Sequence, residues 1–213
     1  MQTLPHIDRI AGHAVLFVMA VPAEYGPALQ GRITPLMTGV GPVEAALATG
    51  AALARLAAAG TLPDLVICIG SAGARHLEQT AVYQASRVAY RDMDASALGF
   101  PRGVTPLSDL PPELPLLQVP GLPAARLATG ASVVSGADYG AIDADMVDME
   151  TYAVARACMA HGVKLIGLRG ISDGEAPLGG MLDWTRYLDV IDGRLATAVD
   201  QLRDHLSSGA AGL

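Results

Sequence analysis

Three carboxylates come within a few residues of strand-like stretches in this 213-residue chain: Glu24 after the apolar run 14–20, Glu150 after the short β-like stretch 145–148, and Asp173 after 163–169. A small-residue segment, Ser71-Ala72-Gly73, follows a fourth run at 64–70. In open α/β sheets ligands settle beyond the carboxyl ends of the strands, so residues in these positions converge on one rim. Clustered carboxylates suit cleavage at the anomeric carbon of a sugar, where the transition state resembles an oxocarbenium cation. One acid protonates the leaving group, a second carboxylate orients water, and a third holds ribose hydroxyls. Taken singly, each member also has an ordinary reading. Glu24 and Glu150 can favour a helix dipole from its first turn, Asp173 can cap a turn, and Gly70 to Gly73 can be a tight corner. Chemistry is argued from the set.

Other chemistries find little support. His76, His161 and His205 fall in loops or on exposed helical faces, so no Ser/His/Asp or Cys/His arrangement competes. The segment Gly70-Ser71-Ala72-Gly73 lacks the spacing of a dinucleotide or triphosphate loop, and no cofactor is expected. Cys68 and Cys158 belong to no CxxC or Cys/His cluster, which argues against a metal site and a disulfide framework and for buried thiols in the cytoplasm. A net charge of −7 without any run of Lys or Arg leaves no footprint for nucleic acid or an anionic membrane. Arg9, the apolar stretch and Val21-Pro22-Ala23 faintly resemble a secretory leader, but cleavage there would remove the first core strand. No other apolar run approaches membrane-spanning length.

The elements that must hold these residues follow from hydrophobic pattern. Residues 1–11 lack periodicity and read as a loose extension, with a single domain over 12–213. The continuous apolar run at 14–20 reads as a strand buried on both faces, 64–70 and 163–169 as further strands, and 36–38, 81–90, 127–134 and 145–148 add others. Helices are expected at 43–59 behind Gly39-Val40-Gly41-Pro42, at 149–161, and at 183–206, where Trp184, Leu188, Ile191, Leu195 and Val199 lie near one stripe. Residues 91–121, rich in Pro, Asp and Gly, read as loop. Strands alternating with helices predict an α/β fold: one domain with a mixed, mainly parallel central sheet flanked by helices. The high apolar fraction, 51%, also fits an oligomer.

At these same residues the chain resembles the nucleoside phosphorylase and nucleosidase superfamily, and within it the bacterial 5′-methylthioadenosine/S-adenosylhomocysteine nucleosidases. The matching pieces are Gly39-Val40-Gly41, Gly70-Ser71-Ala72-Gly73, Asp92-Met93-Asp94 running to Gly99-Phe100, Val134-Ser135-Gly136, Asp148-Met149-Glu150 and Arg169-Gly170-Ile171-Ser172-Asp173. The resemblance implies a nucleoside phosphorylase-like fold and hydrolysis of a purine nucleoside without a cofactor. It implies that Glu24 activates water and that Arg169 helps arrange the site. Met149 and Glu150 would bind ribose, and Asp173, supported by Ser172, would protonate purine N7. Val40, Ser71, Ala72 and Gly73 would line the pocket, with Tyr139 stacking on the base. It also implies a homodimer in which the loop carrying Leu98 and Phe100 closes the neighbouring pocket.

Two segments, between Glu24 and Gly41 and between Ser135 and Glu150, are shorter than in the resembling enzymes; both flank the pocket. A phosphorylase of the same superfamily would need cations for its phosphate, and the matching places here hold Glu24 and Cys68, which favours water. Hydrolysis of another nucleoside such as futalosine, and a non-catalytic nucleoside-binding module on the same fold, are the alternative readings.

Overall fold

The computed structural model describes residues 4–174 and 176–209. Nine strands form one sheet: β1 (Asp8–Ile10), β2 (His13–Met19), β3 (Leu36–Met37), β4 (Leu65–Gly73), β5 (Val82–Tyr90), β6 (Glu113–Pro115), β7 (Ala124–Thr129), β8 (Met146–Asp148) and β9 (Lys164–Asp173). Five α-helices accompany them: α1 (Pro27–Gln30), α2 (Pro42–Ala58), α3 (Thr151–Ala160), α4 (Met181–Thr185) and α5 (Leu188–Ser207). The sheet is mixed. β2, β4 and β9 run parallel side by side, as do β5, β7 and β8, and β5 meets β9 antiparallel at Val82–Gln84. β8 reaches back to β4 through Gly73 and Val147, so β4, β9, β5, β7 and β8 close on one another.

The long strands carry continuous apolar runs because helices cover both faces. On one side α2 and α3 pack over Leu16, Val18, Val66 and Cys68; on the other, α5 packs over Val15, Phe17, Ile67 and Leu168. Ile191, Leu195, Val199, Leu202 and Leu206 recur at helical spacing along α5 and are buried there. Pro42, which has no N–H to satisfy, starts α2 behind Gly41, whose φ of +98° suits glycine. Buried Asp192 of α5 accepts the backbone N–H groups of Ala28 and Leu29 at 2.8 and 3.0 Å, fixing the chain just beyond Glu24 to the helix layer. A Cβ on Gly26 would stand 2.5 Å from that carboxylate, so only glycine admits the contact.

Several expectations are corrected. The 8–10 stretch of the expected loose extension forms β1, which pairs antiparallel with β2. The region 91–121, read mostly as loop, contains β6, paired with β5. The strand expected at 127–134 runs from 124 to 129, since Gly130 must pass close beneath the Arg91 and Asp92 side chains. Helix α3 begins at Thr151 rather than at Met149, with Glu150 as its N-cap. The long helix expected from 183 is two, α4 and α5, interrupted at Arg186–Tyr187. Most consequential, Ser71-Ala72-Gly73 is not a tight corner, and the last strand does not stop at Arg169. Both β4 and β9 continue through those residues as paired strands, placing Gly70 opposite Arg169 and Gly73 opposite Asp173 across a bulge.

Candidate active site

A cavity of about 750 Å³ opens where β2, β4, β8 and β9 end. Glu24, Glu150 and Asp173 all line it, as do Ser71, Ala72, Gly73 and Ser172 from the two extended strands and Val40 and Met149 from their flanks. Arg169 lies beneath it, and Tyr139, Leu98 and Phe100 are not among its walls.

Glu24 ends a 3₁₀ turn (Pro22–Glu24) and is buried. Its Oε1 accepts the Ser71 N–H at 2.7 Å and the Ser71 hydroxyl at 2.5 Å; its Oε2 is buried and accepts no hydrogen bond among the described residues. Burial raises its pKa above the usual carboxylate range, opposed by the Ser71 bonds and the Arg169 charge. A Cβ on Gly70 would lie 2.9 Å from both Glu24 Oε2 and Arg169 Nη1. Glycine there lets the carboxylate and the guanidinium share the strand surface.

Glu150 Oε1 accepts the Gly41 N–H at 3.0 Å, tying the start of α3 to the start of α2. Burial and then the negative charge of Asp148 push its pKa up to about 7, against the pull of Arg169 and Gly41. Asp148, by sequence only the end of a short strand, is the hub below. It accepts Arg169 Nη2 at 2.7 Å, the Thr151 N–H at 3.0 Å and the Thr129 hydroxyl at 2.6 Å, and also the Thr151 hydroxyl. Arg169 Nη2 also reaches Thr151 Oγ1 at 2.6 Å and Cys68 Sγ at 3.0 Å. Burial works against its charge, but Cys68, Asp148, Glu150 and Glu24 outweigh that and hold its pKa high. The Cys68 thiol is pushed up to about 11 by burial.

Asp173 Oδ1 accepts the Ser172 hydroxyl at 2.7 Å, and Oδ2 accepts the Tyr139 hydroxyl at 3.2 Å. Tyr139 therefore stands behind the carboxylate, where its ring packs with Ala128, Val134 and Val147, outside the cavity walls that a stacking role would require. Its hydroxyl and Asp173 Oδ2 lie 2.2 and 2.7 Å from where a Cβ on Gly73 would be, so Gly73 is the opening through which they meet. Leu98, in a 3₁₀ turn at Ser96–Leu98, is 76% exposed.

Two wall residues escaped the sequence reading. Trp184, expected on the buried stripe of a helix, instead donates its indole N–H to Ser71 Oγ at 3.1 Å from α4. Arg91 lines the cavity too, and its guanidinium is bonded to the Ser132 hydroxyl at 3.0 Å, to the Ser132 carbonyl and to Asp92 at 3.4 Å. Among the described residues no group of three or more His, Cys, Asp or Glu could hold a metal ion, and no helix is long and apolar enough to cross a membrane.

This fold, with carboxylates gathered at the strand ends, defines a nucleoside-processing class, and residues 20–187 match the phosphorylase superfamily, to which the chain belongs. It is similar to the 5′-methylthioadenosine/S-adenosylhomocysteine nucleosidase of Haemophilus influenzae strain PittEE, 34% identical over 158 residues, covering 65% of this chain and 67% of that one. A mutant MTAN of Helicobacter pylori with 5′-methylthioadenosine in the active site superposes with a TM-score of 0.74 at 20% identity, over 91% of this chain and 99% of that one. A mutant futalosine hydrolase of the same species gives 0.73 at 20% identity, over 89% and 98%. At such identity these structures bear on the fold.

Proposed function

We propose that the protein hydrolyses the N-glycosidic bond of a purine nucleoside, with 5′-methylthioadenosine or S-adenosylhomocysteine as substrate and adenine as the released base. Asp173 donates a proton to purine N7 as the bond to the sugar breaks, Glu24 takes a proton from the attacking water, and Glu150 accepts the ribose hydroxyls. Carboxylates facing the anomeric carbon stabilise its developing positive charge. Met149, beside Glu150, forms the sugar-side wall, and Ser172 aims Asp173.

One observation carries hydrolysis over phosphorolysis. A phosphate nucleophile needs cations whose charge is not already met, and the charge of both arginines of the site is met by acceptors: Arg169 by Asp148, Thr151 and Cys68, Arg91 by Ser132 and Asp92. The buried, partly unengaged carboxylate of Glu24 suits water and repels phosphate. The test is a panel of purine nucleosides incubated with and without phosphate, with free base detected by chromatography. Release of adenine at equal rates in both is expected; dependence on phosphate, or tight binding without release of base, refutes the reading.

We also propose a homodimer. Val40, Val43 and Leu47 around the start of α2, together with Leu98, are apolar and exposed, which supports a partner surface beside the cavity. In that arrangement Leu98 and Phe100 of one subunit cover the 5′ substituent bound by the other. Two free, buried cysteines agree with a cytoplasmic protein.

A further inference from the structure

Trp184 is the only tryptophan of the chain, and its indole N–H can donate one hydrogen bond and accept none. It spends that bond on Ser71 Oγ, 3.1 Å away, and Ser71 Oγ in turn donates to Glu24 Oε1 at 2.5 Å. We infer that Trp184 is a positioning residue for the nucleosidase reaction proposed above: by occupying a lone pair of Ser71 Oγ it directs the serine proton to Glu24 Oε1 and so holds the water-activating carboxylate in one orientation.

A hydroxyl is free to rotate, and its proton goes wherever the local acceptors allow. With the Trp184 donor on one side of Ser71 and a carboxylate on the other, one orientation satisfies both. Glu24 Oε1 then carries two donors, the hydroxyl and the Ser71 N–H at 2.7 Å, while Oε2 carries none among the described residues. Two donors converging on one oxygen fix the plane of the carboxylate against Ser71. The other charges that face Glu24 are Arg169 from β9, which attracts, and Asp148 from β8 and Glu150 from the cap of α3, which repel.

The chain that carries Trp184 also begins at the acid. Of the stretch between Asp173 and α4, residues 176–180 are fastened to the base-side wall: the Leu178 N–H donates to Ser135 Oγ at 2.8 Å, and Pro177 packs 3.2 Å from where a Cβ on Gly136 would stand. The Gly179 N–H donates to Asp183 at 2.7 Å, bracing the first turn of α4. One segment thus runs from the group that protonates the leaving base to the group that orders the water-activating carboxylate.

The test is Trp184→Phe, which keeps an aromatic wall and removes the N–H, measured alone and in a Ser71→Ala background. We expect kcat to fall about tenfold, as for loss of one positioning hydrogen bond, with KM within about twofold. The acidic limb of the kcat profile should move to higher pH, because Glu24 loses an ordered donor. In the Ser71→Ala background the same change should cost nothing further. Independently of turnover, the single indole N–H resonance of the wild-type protein should shift as Glu24 titrates and lose that response in Glu24→Gln. A loss confined to KM, an unmoved pH limb, additive losses with Ser71→Ala, or an indole resonance indifferent to Glu24→Gln would each overturn the inference. Absence of base release by the wild type refutes the nucleosidase reading instead, and the indole titration, which needs no turnover, still judges the relay.

Discussion

Glu150→Gln should make the protein more stable and less active, and the gain should depend on pH. The glutamine keeps the shape and an acceptor for the Gly41 N–H at 3.0 Å while removing a charge from a residue that is 7% exposed. In the native protein the pKa of Glu150 is pushed from 4.5 to about 7, so the folded state holds this proton more tightly than the unfolded state does. For such a raised value the stability contribution is complete below the unfolded pKa and is lost as pH rises through the folded one. At about 1.4 kcal/mol per unit, the wild type forfeits up to about 3 kcal/mol by mildly alkaline pH, and the variant does not. In a chain of this size that corresponds to a melting temperature higher by roughly 5–10 °C at about pH 8, with little difference near pH 4.5. Thermal unfolding of both proteins across that range is the assay. An equal difference at both ends, or a variant less stable at alkaline pH, would refute a carboxylate kept under electrostatic load. The load has a use: the same charge faces the ribose and its developing cation, so the variant should lose rate, and less with a 2′-deoxy substrate than with a ribonucleoside.

Asp173→Asn should leave the fold intact and lower turnover at least about a hundredfold, since an amide can hydrogen-bond the purine but not protonate it; retention of more than about a tenth of the rate would remove Asp173 from the acid role. Tyr139→Phe removes the 3.2 Å donor behind Asp173 and should lower kcat severalfold at nearly constant KM, whereas a large rise in KM would put the ring against the base after all. Replacing Leu98 and Phe100 together by Ser should raise KM for methylthioadenosine more than for adenosine, because only the former loses apolar contact. A fully active monomer, or equal effects on both substrates, would refute the shared pocket.

The carboxylates were legible because each comes a few residues after a strand-like stretch, most plainly the continuous apolar run 14–20, and the end of a buried strand marks the rim of the sheet. Glu24, Glu150 and Asp173 each follow such an end, and the structure brings all three to one cavity. The Ser71–Gly73 segment was misread because small residues serve a turn and a close strand contact equally well. Here Gly70 and Gly73 admit the side chains of Arg169 with Glu24 and of Asp173 with Tyr139, a requirement set by the neighbouring strand and absent from local pattern. Asp148 was missed for the opposite reason. Its neighbours in sequence are apolar, and its value comes from Thr129, Thr151 and Arg169, which only the register of β7, β8 and β9 assembles. Trp184 fits the apolar stripe of α5 by spacing, but the break at Arg186–Tyr187 turns α4 and swings the indole to the cavity.

The central claim is that water, and not phosphate, receives the ribosyl group under the control of Glu24. The most direct measurement follows the sugar product rather than the base: methylthioadenosine is turned over in phosphate buffer, and the sugar is examined by phosphorus NMR and by a reducing-sugar assay. The account predicts free methylthioribose with no phosphorus signal from a sugar 1-phosphate, and near-complete loss of that product in Glu24→Gln. Accumulation of the sugar 1-phosphate, or undiminished free sugar from Glu24→Gln, would contradict it.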